Sequence, residues 1–204
     1  MLALLLTIPL RAATAAMTIV AVGDSLTAGY GLADPSTFFP AKLEKSLRAS
    51  GVDARLVNAG VSGDTTSGGL ARLDWSLPAG PVDLVILELG ANDALRGIPP
   101  AVTEANLDKM LALLTGRGIP VLLAGMLAPP NLGDEYGRAF AGAYTRLAAK
   151  YSVPLYPFFL DGVAAQSPLL QNDGMHPNAR GVDVIVERIA PYVRWALKVG
   201  PPPA

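Results

Sequence analysis

The chain has 204 residues, 51% of them hydrophobic, and 16 Lys and Arg against 17 Asp and Glu give it a net charge of −1. That length suits one domain with one core, and the scattered, balanced charge excludes the basic stripe of a nucleic-acid binder and the polybasic face of an anionic-membrane binder. With no cysteine and a single histidine, disulfides, thiol catalysis, Cys-ligated zinc and a multi-histidine metal site are excluded; no cofactor is expected, and only a carboxylate Mg²⁺ or Ca²⁺ site stays open.

Residues 1–16 open with the apolar run Met1 to Leu10, and Ala13-Thr14-Ala15 follows with small residues at a signal-peptidase spacing. They are expected to be an export signal that places the protein in the periplasm or outside the cell, although no basic segment precedes the run. The competing readings are an uncleaved anchor and a helix packed on the domain. Arg11 interrupts the run short of the roughly 20 residues a spanning helix needs. Residues 17–199 then form the expected domain, and 200–204 a proline-rich tail.

Within the domain, short apolar runs alternate with helical patterns. Strands are predicted at 18–22, 54–58, 83–89, 120–125 and 153–156, the third being the clearest and the second the weakest. Their continuous rather than alternating apolar character suggests burial on both faces, as in a parallel sheet. Helices are predicted at 38–49, where Phe39, Leu43 and Leu47 recur, at 65–77, at 103–115 with Leu107, Met110, Leu111 and Leu114 on one face, at 135–150 and at 179–197. The alternation implies a three-layer α/β/α fold with right-handed crossovers.

Three polar turns follow the first three strands: Gly23-Asp24-Ser25-Leu26, Ala59-Gly60-Val61-Ser62-Gly63-Asp64 and Gly90-Ala91-Asn92-Asp93. They should converge at the carboxyl edge of the sheet, where open α/β sheets bind ligands. Ser25 is either a helix N-cap or a nucleophile exposed by the sharp turn at Gly23. His176 is either a satisfied lone histidine or a general base, with Asp173, three residues earlier, as its orienting carboxylate. The Gly63 backbone N–H and the Asn92 side chain are either ordinary turn and cap groups or oxyanion donors.

Taken together and in order, these blocks resemble those of the bacterial SGNH (GDSL-type) hydrolases, and within that family the thioesterase I, lysophospholipase L1 and arylesterase branch. The resemblance covers nearly everything after residue 17 and is carried by Val22 to Tyr30, Asn58 to Thr65, Gly90 to Gly97 and Asp173 to Pro177, with Leu155 to Phe159 in support. It implies a five-stranded parallel flavodoxin-like sheet of order 2-1-3-4-5 and hydrolysis of carboxylic esters and thioesters. It also implies a Ser25–His176–Asp173 triad and an oxyanion hole of Ser25, Gly63 and Asn92.

Asp24, Asp64 and Asp93 then read as braces for the turns rather than as a metal or phosphoryl-transfer site. The apolar loops 95–100 and 128–133 suggest an acyl-binding wall of Leu95, Ile98, Pro130 and Leu132, with Met175 beside His176. The expected partner is a small acyl ester or thioester, acted on by a monomer with no nucleic acid and no stable membrane insertion. A carbohydrate acetylesterase on the same plan, or a silent binding module that keeps the fold, are the alternatives; the apolar loops and the complete residue set tell against them.

Overall fold

A computed structural model describes residues 15–203; most of the segment read as an export signal, residues 1–14, lies outside them. Five parallel strands form one sheet of order β2-β1-β3-β4-β5: β1 (Met17–Gly23), β2 (Ala54–Gly60), β3 (Leu84–Glu88), β4 (Val121–Ala124) and β5 (Leu155–Tyr156). The expected sheet and its order are present. Ile19 to Val22 and Leu84 to Leu87 are fully buried, which is why their sequence carries no polar alternation. β2 is an edge strand with only Ala54 buried, and this half-wet setting explains its weaker apolar signal. β5 is two residues long because Pro154 and Pro157 flank it and neither has an N–H for the ladder.

The helices cover both faces. α2 (Phe39–Ala49) packs against α7 (Ala179–Ala196) on one side; α3 (Thr66–Ser76), α5 (Pro100–Gly116) and α6 (Asp134–Tyr151) pack in sequence on the other. Each buries the stripe its periodicity marks: Phe39, Leu43 and Leu47 in α2, and Leu107, Met110, Leu111 and Leu114 in α5. Two short helices were not legible as such, α1 (Ser25–Ala28) and α4 (Ala91–Leu95), and both carry site residues. The chain runs from β1 to one neighbour, β2, and returns on the other side as β3. The turns after β1, β2 and β3 therefore flank a single crevice at the carboxyl edge.

Candidate active site

The turn after β1 is tightly constrained. A Cβ on Gly23 would lie 2.1 Å from Thr27 Oγ1 and 2.4 Å from Glu88 Oε2, so only glycine fits. Asp24, not Ser25, is the N-cap of α1: its Oδ1 accepts the Leu26 N–H at 3.0 Å. Ser25 is thereby released from the capping role and opens the helix, where its own N–H has no intrahelical acceptor. Arg72 on α3 ties neighbouring turns together, donating to the carbonyls of Gly23 (2.9 Å) and Ala59 (2.8 Å) and to Asp64 Oδ2 (2.6 Å).

Gly63 follows in the turn after β2 with φ of +80°, a conformation that favours glycine. Its N–H donates to no acceptor among the described residues, while its carbonyl accepts from the Arg96 guanidinium at 2.8 Å. Asn92 lies in α4, and one of its Nδ2 hydrogens goes to Asp24 Oδ2 at 3.1 Å. Asp93 braces the same region by accepting from the Thr66 N–H and the Thr66 and Thr103 hydroxyls. Through these bonds each of the three aspartates holds its turn to a neighbouring element.

Asp173 and His176 arrive from the loop between β5 and α7. Asp173 Oδ1 accepts the backbone N–H groups of His176 (3.0 Å) and Met175 (2.9 Å), and its Oδ2 lies 2.7 Å from His176 Nδ1. Those backbone donors, followed by the imidazole, hold its carboxyl at about 2. An ionised Asp173 fixes the tautomer: Nδ1 keeps the proton, and Nε2 is left to accept the Ser25 hydroxyl at 2.9 Å. Gln171 steadies the loop, with its Nε2 donating to the carbonyls of Tyr30 and Pro177 and its N–H to the His176 carbonyl. The Tyr30 ring lies against His176, 4.6 Å between centroids at 41°.

Ser25, Gly63, Asn92 and His176 line one cavity of about 240 Å³, together with Leu26, Tyr30, Leu95, Leu160 and Met175. A second cavity of about 240 Å³ shares Leu95, Leu160 and Met175 with it and continues along Met126, Leu127, Pro130, Phe158 and Ala164. Of the five residues expected to form the acyl wall, Leu95 and Met175 line both cavities and Pro130 the second. Ile98 and Leu132 line neither. The Ile98 N–H bonds to the Asp93 carbonyl and its own carbonyl takes the Tyr136 hydroxyl, which folds the loop inward. Leu132 closes a 3₁₀ turn at Pro130–Leu132.

Leu160 and Gln171 reach the site only through tertiary folding and have no local mark; Tyr30 and Phe158 fall within the stretches that carry the resemblance, but nothing local assigned them a role. A larger concavity, about 820 Å³, lies between Thr115–Val121, Ser152–Pro154 and Trp195. It borders the start of β4, the opposite edge of the sheet, and holds none of these groups.

A seryl hydroxyl bonded to an imidazole, itself held by a carboxylate, at the carboxyl edge of a doubly wound sheet is the arrangement of a serine hydrolase. Comparison with known proteins narrows this. The model of the GDSL-like lipase/acylhydrolase family matches residues 21–184, and the chain belongs to that family. It is 43% identical over 180 residues to esterase TesA of Pseudomonas aeruginosa, covering 88% of this chain and 89% of that protein. It is 38% identical over 178 residues to thioesterase 1/protease 1/lysophospholipase L1 of Escherichia coli, covering 87% and 84%. The crystal structure of AlinE4, an SGNH-hydrolase family esterase, superposes with a TM-score of 0.75 at 50% identity, covering 93% of this chain and 98% of that one.

Proposed function

We propose that this protein hydrolyses carboxylic esters and thioesters of small acyl substrates through an acyl-enzyme. Ser25 Oγ attacks the acyl carbonyl carbon while His176 Nε2 takes its proton. The C–O or C–S bond then breaks as His176 returns the proton to the leaving group, and a water activated by the same nitrogen releases the acid. The Ser25 and Gly63 N–H groups and the uncommitted Asn92 Nδ2 hydrogen are the donors for the oxyanion. The observation that carries this reading is the Asp173–His176–Ser25 chain of contacts at 2.7 and 2.9 Å on the wall of a mostly apolar cavity.

The acyl chain lies against Leu95, Leu160 and Met175 and extends toward Leu127 and Pro130, where the second cavity continues. Both cavities together suit a short or medium chain better than a carbohydrate. The N-terminal apolar segment supports export to the periplasm or beyond, with residues 17–199 as the working, monomeric domain. No helix among the described residues is long and apolar enough to cross a membrane.

The test is hydrolysis of a p-nitrophenyl ester series and of an acyl thioester by the wild type and by Ser25→Ala. Turnover of both substrate classes, lost in the variant, is expected. If the variant kept more than about a tenth of the activity, Ser25 would not be the nucleophile.

A further inference from the structure

Directly beneath Ser25 sit two buried carboxyl groups that the proposed reaction does not use. Asp24 and Glu88 are both fully buried. Glu88 Oε2 accepts the Thr27 hydroxyl at 2.7 Å and is 3.4 Å from the Asp24 N–H, while Oε1 has no partner among the described residues. No Lys, Arg or His side chain bonds to either carboxyl among those residues. Neighbouring carboxyls out of water do not both ionise. Asp24 has a donor on each oxygen, Leu26 N–H on Oδ1 and Asn92 Nδ2 on Oδ2, whereas half of the Glu88 carboxyl has none. The single charge therefore belongs on Asp24 and Glu88 stays neutral.

Resting on the reading of the site given above, we propose that Asp24 is a positioning residue for acyl transfer. Its ionised carboxylate grips one Asn92 Nδ2 hydrogen and so aims the other at the oxyanion. The cap on Leu26 and the tether on Asn92 use separate oxygens. An asparagine at position 24 caps the helix equally well but has one acceptor oxygen, so it keeps one of the two bonds and sets an N–H against a donor at the other. Protonating Asp24 has the same consequence.

The groups facing Asp24 are Glu88 from β3, Asp64 from the turn after β2 (itself paired with Arg72), Asn92 from α4 and His176 from the loop before α7. Burial outweighs the bonds to Leu26 and Asn92 and raises its carboxyl to about 6. The tether is therefore lost within an ordinary assay range, and kcat carries a step from Asp24 near pH 6.

The experiment is a cycle of Asp24→Asn, Asn92→Ala and the double variant, read as kcat and KM, with the acid limb of log kcat recorded for the wild type and Asn92→Ala. Asp24→Asn is expected to lower kcat by about 10–10² with KM little changed, and to cost less than about threefold when Asn92 is already alanine. As pH falls through about 6, the wild-type kcat should drop by about 10–10² relative to that of Asn92→Ala at the same pH, a comparison that stands even where Asp24→Asn does not fold. Additive losses in the cycle, or a wild-type to Asn92→Ala ratio of kcat that does not change with pH, overturn the proposal. Fluorophosphonate labelling of wild-type Ser25, run in parallel, separates the two failures. No labelling sinks the reading of the site, whereas labelling with additive losses sinks only the role of Asp24.

Discussion

Asp24 and Asp173 lie on either side of Ser25 and are the same side chain in opposite settings. Asp173 is on a loop, its side chain 39% exposed, and backbone N–H groups of its own loop hold it at about 2. Asp24 is sealed at the sheet edge next to a second carboxyl, and burial carries it to about 6. The first stays charged at every working pH and is suited to steadying an imidazolium. The second is charged only at a cost to the fold and is suited to holding a neighbour in place. Environment, not residue type, divides the labour between them.

The comparison breaks most visibly at the residues the exposed loop serves. Ser25→Ala and His176→Ala are expected to lower kcat by roughly 10⁴–10⁶, since the reacting pair acts as a unit; steady-state hydrolysis of a p-nitrophenyl ester measures it. Asp173→Asn removes the acceptor that fixes the tautomer, and a loss of about 10⁴ is expected in the same assay. On the buried side, Asn92→Ala should cost about 10²–10³ in kcat, the effect of one oxyanion donor. A loss near 10⁴ there would mean that Asn92 does more than donate.

The two aspartates should also differ in sign in their effect on stability. Asp24 has a raised folded value, so its ionisation costs stability above about 6, and protonation restores it as pH falls toward the ordinary aspartate value of 3.8. Asp173 has a lowered one, so its contribution is present above about 3.8 and is lost as pH falls toward 2. Urea unfolding of the wild type and Asp24→Asn at pH 8 and pH 5 checks the first: the stability of the variant relative to the wild type should fall at the lower pH. An unchanged difference would show that Asp24 does not titrate in that range. The smallest effect is expected along the apolar wall. Each acyl methylene buried is worth about 0.8 kcal/mol, or about fourfold, so Leu160→Ala should flatten the chain-length dependence of kcat/KM on p-nitrophenyl esters rather than abolish activity.

What was legible in the sequence follows from how local each signal is. Strands buried on both faces declare themselves as apolar runs, and α2 and α5 by their period, so the sheet and layers could be read directly. The turns that hold Ser25, Gly63 and Asn92 were legible because each follows such a strand. The helices those turns open, α1 and α4, are too short to show a period, so the sequence left Ser25 as either cap or nucleophile, and the structure gives the cap to Asp24. β5 keeps only Leu155 and Tyr156 of its expected 153–156 span, because Pro154 has no N–H for the ladder. Tyr30, Gln171, Leu160 and the Asp24–Glu88 pair have partners distant in sequence, and no spacing rule marks them. Ile98 and Leu132 had the right character for the acyl wall, but neither lines the two cavities.

The two halves of the site meet at one oxygen, Ser25 Oγ, where the exposed loop delivers His176 and the buried turn delivers the hydroxyl. The most direct test is to treat the protein with a fluorophosphonate and map the adduct by mass spectrometry. A single adduct on Ser25 is predicted, absent in Ser25→Ala and formed far more slowly in His176→Ala. An adduct on another residue, or labelling of Ser25 at an undiminished rate without His176, would contradict the account.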